Sequence, residues 1–116
     1  MKTQSAQMQL PLDGTSATTP PVDTGSGRDG ITVQFVGIAG AGTYKIELSL
    51  DEGVTWVDIT KQFTNLNTGV ALSADVSADG IYACTRPLPG LVRILASHTG
   101  TGTPLGYINF QDSRTE

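Results

Sequence analysis

Tyr44, Ile46, Leu48 and Leu50 stand at every second position, with Thr43, Lys45, Glu47 and Ser49 between them. Successive side chains of an extended chain point to opposite faces, so this spacing predicts a β-strand with one buried face. Asp51-Glu52-Gly53 then supplies turn chemistry, Gly53 being free to take a positive φ. Residues 54–60 form a second arm of mostly β-branched residues and carry the single tryptophan, Trp56. Residues 43–60 therefore read as a hairpin with a tight acidic turn, and the other segments arrange themselves around it.

The remaining chain repeats the strand-and-turn pattern. Ile31, Val33 and Phe35 share one face of a strand over residues 31–36. The glycine-rich stretch 37–42 lacks the lysine of a phosphate-binding loop and is followed by a strand where a dinucleotide site needs a helix. It reads as a hairpin loop. Residues 61–69 are polar, with Phe63 and Leu66 folding back as a lid on the core. Val70, Leu72, Ala74 and Val76 alternate again, and Ser77-Ala78-Asp79-Gly80 is a turn. Residues 81–85 form a strand that Pro87, Pro89 and Gly90 end. Residues 91–97 are an apolar run interrupted by Arg93, residues 98–106 a Thr/Gly loop, and residues 107–111 a last strand. No window of ten residues carries helical spacing. Short strands at regular intervals predict an all-β, antiparallel β-sandwich of about seven or eight strands over residues 31–111. A jelly-roll winding is compatible with this pattern, and residues 112–116 read as a polar tail.

Residues 1–30 differ in composition. Thr, Ser, Gln, Gly and Pro dominate, and such a segment buries too little apolar surface to order itself alone. Met8, Leu10 and Leu12 are spaced by two, with Pro11 restricting the segment to an edge strand or a free arm. Two readings stand side by side: a flexible tail, or an extended arm that lies on a neighbouring subunit or a larger assembly through these three residues. With 116 residues the chain is one small domain, and Cys84, its only cysteine, makes no intrachain disulfide. Cys84 reads as a small buried hydrophobe. Oligomerisation is the remaining common support for so small a scaffold, so a homo-oligomer is expected.

The inventory argues against chemistry. The formal charge is −4 and no Lys/Arg run occurs, which disfavours nucleic acid and anionic membranes as partners. No apolar run is long enough to span a bilayer, and the N-terminus lacks the apolar core of a secretory signal. The protein is therefore expected to be made in a cytosol and to stay there, or to leave inside something else. His98, the only histidine, falls in the Thr/Gly loop and reads as an exposed loop residue without a catalytic triad around it. One His and one Cys make no zinc site, and Asp51-Glu52 lacks the alternating ligands of a calcium loop. No catalytic, metal or cofactor site, and hence no enzyme, is expected. Trp56 reads as a core or rim anchor, or as a sugar-stacking platform. Arg93 is either paired, with Asp51 or Glu52 as partner, or exposed on an outer face.

The segment Glu47-Leu48-Ser49-Leu50-Asp51-Glu52-Gly53-Val54-Thr55-Trp56 resembles the strand followed by Ser-x-Asp-Gly-Gly-x-Thr-Trp of small β-sandwich proteins and domains of tailed-phage virions. A Gly-rich strand connection precedes it, here residues 37–42. A later Val-Arg pair, here Val92-Arg93, is followed by a Thr/Gly loop and a last strand. The match covers residues 31–111 and departs at Glu52, where the pattern has Gly. The segment also resembles the Asp-Gly-Gly-x-Thr-Trp turn of sialidase-type propellers, but a single copy makes no propeller. The virion resemblance implies a structural protein, a capsid decoration (cement) protein first of all. Its partner would be the major capsid protein, its oligomer a homotrimer, and its place the capsid exterior after synthesis in the host cytoplasm. The alternative it implies is a head-fibre or tail-associated module that binds carbohydrate on a host surface.

Overall fold

Ile31, Val33 and Phe35 are buried while Gln34 and Val36 are exposed, so strand β4 (Ile31–Val36) turns one face inward as its alternation predicts. This is seen in a computed structural model that describes residues 2–9, 16–25, 30–38, 42–98 and 104–112. The other strands in chain order are β1 (Lys2–Gln9), β2 (Ser16–Thr18), β3 (Val22–Asp23), β5 (Gly42–Ser49), β6 (Val57–Asp58), β7 (Thr64–Asn65), β8 (Val70–Ala71), β9 (Gly80–Cys84), β10 (Leu91–His98) and β11 (Leu105–Asp112). A 3-10 turn, Thr60–Gln62, links β6 to β7.

The strands form two antiparallel sheets, an all-β sandwich. One sheet runs β1-β11-β4-β9-β7-β8, the other β2-β10-β5-β6, with β3 also paired to β10. The segment count exceeds the expected seven or eight for two reasons. Residues 2–23 contribute three strands, and β6, β7 and β8 are two-residue pieces where the sequence suggested longer arms. Val33, Phe35, Tyr82 and Ile108 of one sheet and Tyr44, Ile46, Val92 and Ile94 of the other form one hydrophobic core. Phe35 bridges the layers, its ring 5.9 Å from Tyr44 and edge-on to Tyr82 at 6.0 Å. Cys84 is buried in this core and Phe63 closes one side of it.

Several local expectations change. Strands β4 and β5 belong to different sheets, so the chain crosses between sheets here and the two strands are not arms of one hairpin; residues 39–41 of the glycine-rich stretch lie outside the described residues. Asp79 fixes the start of that crossing by accepting hydrogen bonds from Gly37 N (2.9 Å) and Ile38 N (2.7 Å). Leu66 is exposed and forms no lid. Of the strand expected over residues 70–76, only β8 and an isolated bridge from Val76 to Tyr44 exist.

The segment read as an arm or tail lies along both sheets in its described parts. β1 pairs with β11 from Lys2↔Asp112 to Gln9↔Leu105. β2 and β3 line β10. Thr19 N donates to Ile94 O and Ile94 N donates to Thr19 Oγ1 (3.0 and 2.9 Å). The buried Thr24 hydroxyl donates to Leu88 O at 2.6 Å. Backbone pairing and two threonines order a segment that has little apolar surface of its own.

Candidate functional site

β5 and β6 are the two arms of the central hairpin, paired Glu47↔Asp58 and Leu48↔Val57. The turn between them is longer than a tight reversal and spans residues 50–56. It folds back over the outer face of β5 and β10. This inverts burial at the end of β5: Glu47 and Ser49, outward by parity, are covered, while Leu48 is half-buried and Leu50 is 73% exposed. The alternation of residues 44–50 therefore predicts the strand but misplaces Leu50.

The turn is held by short side chains. Ser49 Oγ donates to Asp51 Oδ1 and accepts from Gly53 N, both at 2.8 Å. Asp51 Oδ1 also accepts from Thr55 N at 2.8 Å. The Thr55 backbone N–H, then the Ser49 and Thr55 hydroxyls, hold the Asp51 carboxyl down to about 2. Glu52 takes a left-handed φ of 63° and Gly53 a φ of 91°, which gives a physical reason for Gly-Gly in the turn it resembles. On β6, burial works against the Asp58 carboxylate. Hydrogen bonds from Thr60 and the nearby Lys45 and Lys61 outweigh it and leave its pKa lowered.

Trp56 is half-buried on the rim of this outer face and is not in the core. Its indole Nε1 donates to Gly53 O at 3.0 Å. The Arg93 guanidinium carbon lies 4.1 Å from the ring centroid, and Arg93 Nε donates to Glu47 Oε1 at 2.8 Å. Arg93 is thus paired, but with Glu47, its cross-strand neighbour on β5, and not with Asp51 or Glu52. Register between two strands far apart in sequence places the two charges together, and nothing local in the chain signals it. The Trp56–Arg93–Glu47 stack gives the sheet a rigid polar rim. A cation over an indole is worth about 0.5–1 kcal/mol at a part-exposed site.

Beside the rim opens an apolar groove of about 430 Å³ lined by Leu48, Leu50, Asp51, Thr55, Val57 and Ile59. The sequence pattern missed it because Leu48 and Leu50 read as core. Of the other candidate contact residues, Met8 lies in β1 with its backbone opposite Gly106. Leu10 and Leu12 lie outside the described residues.

His98 is not an exposed loop residue: it is the last residue of β10 and fully buried. Its Nδ1 lies 2.6 Å from Tyr44 Oη, while Nε2 has no hydrogen-bond partner among the described residues. Tyr44 and Tyr82 both have raised pKa values, first through burial and then through the charge of Asp79. No cluster of three or more His, Cys, Asp or Glu among the described residues is placed to hold a metal ion. No helix among them is long and apolar enough to cross a membrane. The arrangement offers surfaces for binding: a stacked aromatic rim, an acidic turn and an apolar groove.

No protein-family model matches the sequence, and no curated protein matches it. Among solved structures, the fold is similar to the crystal structure of the SPBc2 prophage-derived protein YomS. The TM-score is 0.63 at 16% identity, over 94% of this chain and 96% of that one. At this identity the likeness is one of fold, and it extends over nearly the whole of both chains.

Proposed function

We propose that the chain is a structural protein of a tailed-bacteriophage particle, and specifically a decoration protein that binds the assembled capsid from outside. The observation that carries this reading is the end-to-end fold likeness to a prophage-derived protein. The Ser49–Trp56 turn, which resembles that of virion sandwiches, and the apolar groove beside it support it. The role is adhesive and non-enzymatic, with the major capsid protein as partner and a homotrimer as the bound form. Selective binding to the assembled shell stabilises that shell by mass action.

A glycan-binding role at a head fibre or tail would rest on Trp56. One ring face of Trp56 is taken by Arg93 and its N–H by Gly53, so a sugar would have the other face alone and no indole N–H to bond. The capsid reading is therefore preferred. Co-sedimentation of the purified protein with assembled shells and with free capsid subunits tests it. Binding to shells alone, together with genome release at a higher temperature from decorated particles, is the expected result. Equal release temperatures with and without the protein would sink it. A Trp56 fluorescence change on adding host polysaccharide, lost in Trp56→Ala with the fold intact, would favour the glycan role.

A further inference from the structure

Seven large apolar side chains among the described residues are exposed, and five of them, Leu50, Val54, Val57, Leu66 and Val70, fall between positions 50 and 70. Exposed apolar residues scattered singly mean little, whereas a cluster marks an interaction surface. This stretch forms one lateral edge of the sandwich. β6 ends one sheet, β8 ends the other, and the 3-10 turn Thr60–Gln62 carries the chain between them.

The two flanks of that edge differ in charge. On the β6 flank the apolar groove of Leu48, Leu50, Val57 and Ile59 includes Asp51, and Glu52 and Asp58 are exposed in the same hairpin. On the β7–β8 flank, Leu66 and Ala71 share a hollow of about 460 Å³ with Lys61 and Arg86. Asp58 has Lys45 and Lys61 beside it within the chain, so the opposite signs that face outward are those of Asp51 and Glu52 on one flank and of Arg86 on the other. With two residues each, β6 and β8 offer too little free backbone for a strand to be added. Contact there has to be made by side chains.

We infer that copies of this chain meet head to tail through this edge, the acidic flank of one against the basic flank of the next. Both halves of a complementary pair are carried by one chain, which is the argument for a second copy over an unrelated partner. A heterologous contact of this kind closes into a ring where the rotation between copies allows it. The inference does not depend on the virion reading, because it needs only the chain itself.

The test is the solution mass of the full chain by light scattering and sedimentation across a range of concentrations. A closed oligomer is expected. Val57→Asp, at an exposed position, is expected to shift it to monomer with an unchanged circular dichroism spectrum. Glu52→Lys and Arg86→Glu are each expected to weaken assembly by about tenfold, and the double variant to recover it. A wild-type monomer at every concentration would overturn the inference. So would an oligomer indifferent to all three single changes, which would place the contact elsewhere. A double variant weaker than either single charge reversal would overturn the pairing of the two flanks.

Discussion

Glu52 holds a φ of 63° in the turn that follows β5. The left-handed region costs an L-residue roughly 1–2 kcal/mol, and glycine's extra freedom in the unfolded chain returns about 0.5–1 kcal/mol of that. Glu52→Gly is therefore expected to stabilise the fold by roughly 0.5–1 kcal/mol, read as a higher urea midpoint at an unchanged slope. A lower midpoint would show that the Glu52 side chain contributes more than its backbone costs. The neighbouring Asp51 sets a pH dependence. Its folded pKa of about 2 lies below the ordinary carboxylate value of ~3.9. Its contribution is therefore complete above the unfolded value and is lost as pH falls from about 4 through about 2. Below that window the Thr55 amide loses its charged acceptor. Its proton shift, followed by NMR from pH 5 to pH 1.5, is expected to move with a midpoint near the folded value. A midpoint near the ordinary value would mean that the Ser49–Asp51–Thr55 bonds do not hold in solution.

The eight-residue ladder between β5 and β10 is the contact on which the acidic turn and the Trp56 rim both stand. Gly42 begins it with a φ of 142°, and a Cβ there would sit 2.1 Å from Ser97 O. Gly42→Ala is thus expected to cost more than about 2 kcal/mol through strain and a displaced ladder end, read by calorimetry. An unchanged melting temperature would mean that the ladder can start one residue later at no cost. Asp79→Ala removes the acceptor of two amides at the sheet crossing, with an expected loss of about 1–3 kcal/mol in the same measurement. β4 was legible in the sequence because burial on one side forces period two; β9 was marked by the Asp79-Gly80 turn before it and the prolines after it, and β10 by its apolar run. β1, β2 and β3 were not, since main-chain pairing and threonine hydroxyls order them without a hydrophobic stripe. The groove was hidden for the opposite reason. Its Leu48 and Leu50 keep the core pattern, but Leu48 packs at the margin of the core and Leu50, one step beyond it, is exposed. His98 misread similarly: a Thr/Gly-rich neighbourhood signals a loop, yet cross-strand pairing with Gly42 extends β10 to include it.

For the molecule as a whole, the question is whether residues 1–25 are an appendage or part of the sandwich. β1 occupies an outer edge of one sheet, so its removal leaves β11 as the new edge and every inner layer intact. β2 and β3 are different. Their segment supplies Thr19, which exchanges hydrogen bonds with Ile94, and Thr24, which bonds Leu88 O and Gly90 O. Both threonines are buried, at 3% and 0% exposure, and Val22 packs against the core. Removing them leaves the N–H and C=O of Ile94 and the carbonyls of Leu88 and Gly90 without these partners. At about 1–3 kcal/mol for each group that water does not reach, the sum approaches the whole stability of a small domain, about 5–15 kcal/mol. A chain lacking residues 1–15 is therefore expected to unfold cooperatively at a somewhat lower urea concentration, followed by Trp56 fluorescence. A chain lacking residues 1–25 is expected to lose the cooperative transition. If the shorter chain instead unfolds at the full-length midpoint, the first 25 residues are a tail that rests on the sheets without holding them, free to serve a neighbouring subunit.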